Sequence, residues 1–181
     1  MIITISGVPG SGKSTVGKLI AQKLNYHYVS MGDMRGEIAK RHNLTIDELN
    51  KLGEKEGWTD QKIDEYQKTL GQEKDNLVVE GRLSFYFIPH SYKIFLDVEI
   101  KEAARRALEN RAERLDEKLP ATLEETIPQL QERLKSDKNR YQKYYGVDYT
   151  SPTNFDLFLD TTKLPIKEVV NIILDKIQAL R

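Results

Sequence analysis

The chain has 181 residues, with 28 lysines and arginines balanced by 28 acidic residues, and it contains no cysteine. This length suits one domain with a single hydrophobic core, so we treat residues 1–181 as one domain. The absence of cysteine excludes a disulfide framework, a thiolate metal site and a cysteine nucleophile. The net charge of zero gives no overall attraction to nucleic acid or to an anionic membrane, and we expect neither as a partner.

The apolar content is typical of a cytoplasmic protein. Hydrophobic residues make up 39% of the chain, which is enough for a core, and charged residues make up 31%. The apolar runs are short, such as Met1–Ile3, and none is long enough to span a bilayer. The N-terminus has neither the basic start nor the long apolar segment of a secretory signal. We therefore expect a cytoplasmic protein, and a monomer.

Short apolar segments alternate with charged, helix-prone segments along the chain. The predicted strands are Ile2–Ser6, Tyr26–Ser30, Asn76–Glu80, Tyr92–Asp97 and Phe155–Asp160. The predicted helices are Lys13–Leu24, Asp33–His42, Ile46–Glu56, Asp60–Gln72, Lys101–Glu117, Leu123–Tyr145 and Pro165–Leu180. Continuous apolar strands separated by helices are typical of a parallel sheet that is covered on both faces. The pattern therefore predicts an α/β fold with right-handed crossovers.

Two long helical stretches interrupt the alternation, at residues 33–75 and 101–145. Neither is bounded by a linker rich in proline, glycine or serine, so both are predicted as insertions within one domain. In the first, Thr45 and Thr59 precede acidic residues and are predicted as helix N-caps, and Trp58 is predicted to fill core space. The second contains a dense set of arginines: Arg105, Arg106, Arg111, Arg114, Arg133 and Arg140. Any single one of these arginines could belong to a solvated helical face, whereas so many together indicate a binding site for a polyanion.

The strongest signal is a glycine-rich loop between the first predicted strand and the first predicted helix. It matches the phosphate-loop pattern G-x-x-x-x-G-K-[ST] in the strand-to-helix context that the motif requires, with the residues Gly7, Val8, Pro9, Gly10, Ser11, Gly12, Lys13, Ser14 and Thr15. Its glycines let backbone amides approach phosphate oxygens, and the helix N-terminus adds a positive dipole. Lys13 is predicted to reach the β- and γ-phosphates of ATP, and the Ser14 hydroxyl to bind Mg²⁺.

The rest of the chain narrows the class of phosphate-loop protein. A GTPase needs Asn-Lys-x-Asp to read guanine, but here Asn50-Lys51 continues as Leu52-Gly53. A transport or motor ATPase needs a longer chain. A kinase for a small phosphorylated acceptor needs only the loop, an acceptor-binding insertion and a lid with arginines, because phosphoryl transfer depends mostly on positioning and charge neutralisation. The two helical stretches fit the insertion and the lid.

Six segments extend this interpretation along nearly the whole chain: ISGVPGSGKSTVGKLIAQKL, YHYVSMGDMR, VVEGRLS, KIFLDV, ERLKSDKNRYQKYYGVD and FDLFLDTT. Together they resemble the compact archaeal type of cytidylate kinase, within the nucleoside monophosphate kinases. The E-G-R, R-x-x-x-D-x-x-R and Y-G-V-D elements are more specific to this family than the phosphate loop. The resemblance implies a three-layer α/β/α phosphate-loop fold with a five-stranded parallel sheet in the order 2-3-1-4-5.

The resemblance also implies an acceptor site. Asp33 and Arg35 resemble the start of the acceptor-binding helix, and Arg82 resembles an arginine that contacts the acceptor phosphate, with Ser84 expected to assist. The R-x-x-x-D-x-x-R pattern places three residues on one helical face, Arg133, Asp137 and Arg140. In the relatives, residues of this pattern contact the phosphate, the sugar and the pyrimidine of the acceptor. A carboxylate in this pattern can accept from the exocyclic amine of cytosine, where uracil has a carbonyl.

On the donor side, the resemblance implies three further roles. Arg111 and Arg114 of the lid are expected to act on the donor phosphates together with Lys13, Glu80 is expected to hold a Mg²⁺-bound water, and Thr161 is expected near the donor adenine. The expected reaction is the transfer of a phosphoryl group from MgATP to CMP or dCMP. The acceptor oxygen is already anionic, so no general base is required.

Two alternatives stay open at this stage. One is a kinase for another small acceptor, namely UMP, AMP, shikimate or dephospho-coenzyme A. The other is a non-catalytic nucleotide-binding regulator or an RNA-associated phosphate-loop protein, with bases stacked on the group Tyr141, Tyr144, Tyr145 and Tyr149. The zero net charge argues against RNA. We expect these tyrosines to pack the second insertion against the edge of the sheet.

Overall fold

Five parallel strands form one sheet in the order β2-β3-β1-β4-β5, as predicted. The computed structural model describes residues 1–109 and 120–180. Within these residues the strands are β1 (Ile2–Gly7), β2 (His27–Ser30), β3 (Leu77–Glu80), β4 (Tyr92–Asp97) and β5 (Leu157–Asp160). Because neighbouring strands all pair in parallel, their carboxyl ends lie at the same end of the sheet.

Each predicted helix has a counterpart in the structure. The helices of the described residues are α1 (Lys13–Leu24), α2 (Met31–Arg41), α3 (Ile46–Gly53), α4 (Trp58–Glu73), α5 (Ser84–Phe87), α6 (Ile100–Glu109), α7 (Leu123–Tyr145) and α8 (Ile166–Gln178). The predictions for α1 and α7 are confirmed to the residue, and the predicted helix that contains α6 continues beyond the described residues. The single turn α5 was not predicted, because four residues are too few to show a helical period.

The sheet is the middle layer of three, because its central strand is buried on both faces. Ile3 and Ile5 of β1 face α1 and α8, and the face of α8 that meets them is apolar, with Val169, Val170, Ile173 and Ile177 buried. Ile2 faces the other way, toward Met31 of α2 and Ile63 of α4. The three-layer α/β/α architecture follows from this two-sided burial.

The predicted packing of the tyrosines is confirmed where it concerns the sheet. Tyr141 of α7 is 7% exposed and Tyr149 is fully buried, and both pack with Phe95 of β4 in one apolar cluster. The rings of Tyr141 and Tyr149 meet edge to face, with their centroids 5.3 Å apart. This cluster anchors the end of α7 against the sheet.

Two local predictions about the start of α4 are wrong. Thr59 is not an N-cap: α4 begins at Trp58, and the Thr59 hydroxyl donates to the carbonyl of Glu56. Trp58 does not fill the core, since 39% of it is exposed in the first turn of the helix, where its indole N–H donates to Glu56. The N-cap at Thr45 is confirmed, and Glu48 completes a capping box there.

None of the helices in residues 1–109 and 120–180 is both long and apolar enough to cross a membrane.

Candidate active site

The phosphate loop connects β1 to α1 at the carboxyl end of the sheet. The Nζ group of Lys13 donates to the carbonyl oxygen of Val8 at 2.8 Å, so the lysine lies folded over its own loop. Gly12 is the N-cap of α1 with φ +84°, a conformation that favours glycine. The loop thus has the glycine conformations, the lysine and the helix start of an anion site. Ser14 and Thr15 follow on the exposed face of the first turn of α1.

The helix α6, which lies in the stretch predicted as a lid, packs directly against this loop. Gly10 has φ +79°, and a Cβ atom there would lie only 2.8 Å from the Cβ and carbonyl oxygen of Ala103. Ala103, Ala104 and Ala107 are all buried along the same face of α6. Small residues on both elements therefore let α6 approach the phosphate loop closely.

Glu80 ends β3, beside Ile5 of β1, and it points toward the phosphate loop. Its Oε2 atom accepts hydrogen bonds from Ser14 of the loop at 3.3 Å and from Ser30 at 2.9 Å, with the hydroxyl of Tyr28 at 3.4 Å. Burial, together with the negative charge of Glu80, raises the pKa of Tyr28, so this hydroxyl stays protonated and donates. The predicted pair for Mg²⁺, Ser14 and Glu80, is thus brought together.

The predicted acceptor residues meet in a second, buried group next to Glu80. Arg35 of α2 donates through Nη1 to Asp60 at 2.6 Å and through Nε to Asn50 at 2.7 Å. The other oxygen of Asp60 lies 3.1 Å from Nε of Arg140 in α7. Asp60 therefore holds two predicted acceptor arginines from two different helices.

Asp137 joins the remaining arginine to this group. One of its carboxylate oxygens lies 3.0 Å from Nη2 of Arg140, and the other forms an ion pair with Nε of Arg82, which follows β3. We call the residues Arg35, Asp60, Arg82, Asp137 and Arg140 the arginine cluster. Its charges alternate along a chain of contacts that connects α2, α4, α7 and the segment after β3.

The cluster is held charged although it is buried. Burial opposes ionisation of Asp137, but Arg82, Arg140 and Arg133 outweigh it and hold the pKa of this carboxyl below its usual value. Burial likewise lowers the pKa of Arg35, an effect that Asp60 opposes. An arginine stays protonated through such shifts. The Nη1 group of Arg140 is buried and has no hydrogen-bond partner within the described part of the chain.

The other predicted acceptor residues lie around the cluster. Arg133 is half-buried one turn before Asp137, close enough to lower the pKa of that carboxyl. Asp33 is exposed in the first turn of α2. Ser84 is fully buried, and its hydroxyl donates to the side chain of Gln67 at 2.7 Å. The Ser84 hydroxyl is thus held by Gln67 of α4 in the protein interior.

On the donor side, Thr161 follows β5 at the carboxyl end of the sheet. Its amide and its hydroxyl both donate to the carbonyl of Asp97, each at 2.9 Å. Arg106 of α6 donates to the Thr161 hydroxyl and carbonyl at 3.1 and 2.7 Å and is itself held by Glu102. The segment after β5 is therefore tied to α6. Arg111 and Arg114 lie outside the described residues.

Sequence reasoning missed the residues that hold the arginines. In the sequence, Asp60 is an ordinary acidic residue near the start of a predicted helix, and Asn50 belongs to no motif. Nothing in the local sequence reveals that both become buried beside Arg35. Ser30 had a detectable signal, because a serine before a helix is a favoured N-cap, but the predicted helix began three residues later, at Asp33.

The chain matches the model of the cytidylate kinase-like family over residues 2–163. It is 35% identical over 181 residues to a cytidylate kinase of Halobacterium salinarum, covering 99% of this chain and 90% of that protein. It is also 35% identical to an S-adenosylmethionine-dependent nucleotide dehydratase of Lacinutrix mariniflava, with 97% of this chain but only 36% of that longer protein covered.

Solved structures with lower identity share the fold. A shikimate kinase from Acinetobacter baumannii, solved with shikimate, superposes with a TM-score of 0.59 at 16% identity, covering 99% of this chain and 94% of that one. This likeness supports the phosphate-loop α/β fold. The match over residues 2–163 establishes the family: the chain belongs to the cytidylate kinase-like family of phosphotransferases.

Proposed function

We propose that this protein transfers the γ-phosphoryl group of ATP to the phosphate of CMP or dCMP. The observation that carries the proposal is the buried Nη1 group of Arg140, which has no hydrogen-bond partner among the described residues. A buried donor without a partner is costly, and a guanidinium next to Arg35 and Arg82 is suited to a phosphate monoester. The Nη1 group of Arg140 lies at the same end of the sheet as the phosphate loop.

ATP, the phosphoryl donor, is held by the phosphate loop and by the lid. The loop amides and the start of α1 bind the β- and γ-phosphates, and Lys13 turns from the Val8 carbonyl toward them. Arg111 and Arg114 are proposed to neutralise the charge on the transferring group. Thr161, tied to α6 through Arg106, is proposed to line the adenine end of the site.

The residues present fit Mg²⁺. Ser14 and Glu80 offer a hydroxyl and a carboxylate oxygen 3.3 Å apart, which are hard donors of the kind that Mg²⁺ prefers. Among the described residues no group of three acidic, histidine or cysteine side chains forms a metal cage. One carboxylate and one hydroxyl suffice for a cation that also binds substrate phosphates and water. When bound there, Mg²⁺ supplies charge neutralisation between the β- and γ-phosphates.

The acceptor is oriented by the arginine cluster. Arg35, Arg82 and Arg140 bind its phosphate with Arg133 nearby, so that a phosphate oxygen attacks the γ-phosphorus while the bond to the β,γ-bridging oxygen breaks. The products are ADP and CDP or dCDP. Asp137 holds Arg82 and Arg140, and its remaining lone pairs are proposed to accept from the cytosine amine. Asp33 and Ser84 are proposed to line the same site.

The names of the relatives favour a nucleotide acceptor over shikimate. One relative is named a cytidylate kinase and the other a nucleotide dehydratase, and both are about one-third identical to this chain over nearly its whole length. The shikimate kinase shares 16% identity, a level that supports the fold alone.

A panel of acceptors tests the proposal. ADP release from MgATP is measured in a coupled assay with CMP, dCMP, UMP, AMP, shikimate and dephospho-coenzyme A. We expect CMP or dCMP to have the highest kcat/KM. A higher kcat/KM for any other acceptor would overturn the assignment of the base. If no acceptor raises ADP release above slow ATP hydrolysis, the kinase assignment itself fails and a regulatory nucleotide-binding role is favoured.

The role of the loop lysine is tested by Lys13→Ala. We expect kcat to fall at least about 100-fold, because a positioned cation on the transferring phosphate is lost, while CMP affinity measured by calorimetry stays within about twofold. Lys23→Ala, at the exposed end of α1, is the matched control and should keep full activity. Near-normal turnover in Lys13→Ala would contradict the assignment of the loop.

A further inference from the structure

Two side chains of β2 contact the proposed metal carboxylate, in addition to Ser14 of the phosphate loop. The Oε2 atom of Glu80 lies 2.9 Å from the hydroxyl of Ser30 and 3.4 Å from that of Tyr28. The two residues lie two positions apart on one strand, so their side chains point to the same face of the sheet. Ser30 is 7% exposed, which makes its contact with Glu80 a buried, charge-assisted hydrogen bond.

Ser30 makes a second contact, with the start of the acceptor helix. Its Oγ atom accepts from the backbone N–H of Asp33 at 3.1 Å, which makes Ser30 the N-cap of α2. A hydroxyl has one proton and two lone pairs, so Ser30 can donate to Glu80 and accept from Asp33 at the same time. Arg35 lies in the next turn of this helix.

We infer that Tyr28 and Ser30 are positioning residues that aim Glu80 at Mg²⁺, and that Ser30 also couples this carboxylate to the helix that carries Arg35. The inference rests on the proposed function for its kinetic part. Three hydroxyl groups converge on one carboxylate oxygen, and only that of Ser14 belongs to the phosphate-loop motif. When Ser14 turns toward the metal, Tyr28 and Ser30 keep the carboxylate in place.

The two residues differ in what they hold, and this difference makes the inference testable. Tyr28 contacts Glu80 but does not cap α2, whereas Ser30 does both. Tyr28→Phe should therefore affect metal binding alone. Ser30→Ala should affect metal binding and acceptor binding together. Ser30→Thr keeps a hydroxyl that can both donate and cap, and it should restore most of both.

The main measurement does not depend on turnover. Thermal unfolding of the ADP complex is followed during a titration with Mg²⁺, and the concentration that gives half of the maximal stabilisation is determined. We expect it to rise about fivefold in Tyr28→Phe and at least that much in Ser30→Ala, since each variant loses a hydrogen bond to a charged group. In the kinase assay at saturating MgATP, the KM for CMP should stay within about twofold in Tyr28→Phe and rise about tenfold in Ser30→Ala.

Two control variants separate positioning from general damage. Thr45→Ala removes the N-cap of the neighbouring helix α3, away from Glu80, and should leave the Mg²⁺ midpoint unchanged. Tyr92→Phe removes a half-buried hydroxyl from β4 and should do the same. Wild-type Mg²⁺ midpoints in both Tyr28→Phe and Ser30→Ala would overturn the positioning role.

The coupling of Glu80 to α2 and the proposed function are each tested by a separate result of these experiments. A wild-type KM for CMP in Ser30→Ala, together with a raised Mg²⁺ midpoint, would overturn the coupling to α2. If the wild-type protein phosphorylates no acceptor, the proposed function fails, while the Mg²⁺ titration of the ADP complex still decides whether Tyr28 and Ser30 position Glu80.

Discussion

Asp60 binds two arginines from two helices, at 2.6 Å from Arg35 and 3.1 Å from Arg140. Two guanidinium groups this close repel each other unless an anion lies between them. Asp60 supplies this anion in the buried site, and Asp137 does the same between Arg140 and Arg82. A buried ion pair is a weak source of net stability, but removing one partner is expensive because an uncompensated charge remains. Asp60 thus holds the two arginines of the proposed acceptor site in place.

Asp60→Asn is expected to lower the free energy of unfolding by about 3 kcal/mol, because Arg35 and Arg140 lose their shared anion. Urea denaturation measures the change. CMP should restore more stability to this variant than it adds to the wild type, since the acceptor phosphate replaces the lost charge. Asp175→Asn, on the exposed face of α8, is the matched control and should change stability by less than about 0.5 kcal/mol. A wild-type value for Asp60→Asn would contradict the role given to this residue.

Asp64 makes stability depend on pH. Burial raises its pKa to about 6, although a hydrogen bond from Tyr145 opposes the shift. The folded state therefore binds more protons than the unfolded state between about pH 4 and pH 6, and the free energy of unfolding decreases as the pH rises through this window. The decrease is about 1 kcal/mol once solvent screening of a half-buried group is allowed for.

Asp64→Asn is expected to remove this decrease, because an amide does not titrate. Urea denaturation at pH 4.5 and pH 7 in the wild type, Asp64→Asn and Asp175→Asn measures it. The first variant should gain about 1 kcal/mol at pH 7 relative to the wild type, and the second should follow the wild type. Equal pH dependence in all three proteins would assign the proton uptake to other groups.

At the scale of elements, the close approach of α6 to the phosphate loop decides what the loop tolerates. Gly10 and Gly12 have nearly the same backbone conformation, with φ +79° and +84°. A Cβ atom at Gly10 would lie 2.8 Å from Ala103, whereas one at Gly12 would meet nothing within 4 Å. A side chain would therefore be strained by the backbone conformation at both positions, but only at Gly10 would it also collide with α6.

Gly12→Ala is expected to lower the free energy of unfolding by about 1 kcal/mol, the strain of a left-handed alanine. Gly10→Ala should lower it by about 3 kcal/mol, because the overpacking against Ala103 adds to the same strain. Urea denaturation of the nucleotide-free proteins makes the comparison. Equal losses in the two variants would show that α6 moves away at no cost, contrary to a fixed contact between α6 and the phosphate loop.

The helix bounds show which features of the fold local sequence patterns can predict. The predicted bounds of α1 and α7 agree with the structure to the residue: α1 begins directly after the phosphate loop, and α7 lies between the N-cap Thr122 and the C-cap Gly146. The start of α4 was misplaced because Gly57 caps it without a side chain. Without a side-chain cap at Gly57, nothing in the local sequence marks Trp58 as the first residue of α4.

At the scale of the whole molecule, an even charge balance coexists with a cationic site. The chain has 28 basic and 28 acidic residues. Around the proposed acceptor site, four arginines (Arg35, Arg82, Arg133 and Arg140) accompany two aspartates, Asp60 and Asp137. The excess of two positive charges among these side chains complements the dianion of a phosphate monoester.

Inorganic phosphate is therefore expected to stabilise the protein, by about 1.4 kcal/mol at ten times its dissociation constant. Thermal unfolding at constant ionic strength, with chloride replacing phosphate in the control, measures the effect. The stabilisation should persist in Lys13→Ala, where the phosphate loop lacks its lysine, and decrease in Arg140→Ala. Loss of the effect in Lys13→Ala would place the phosphate in the loop instead of the arginine cluster.

From the sequence, periodicity predicted the strands and helices and a local motif predicted the phosphate loop, while the resemblance to a kinase family supplied the strand order and the residues expected to bind both nucleotides. Only the tertiary structure decided which groups hold those residues. Asp60, Asn50, Tyr28 and Ser30 reach Arg35, Arg140 and Glu80 from other elements. Such contacts arise from parallel strands ending at the same end of the sheet and from helices packing above them, and no local pattern encodes these long-range approaches.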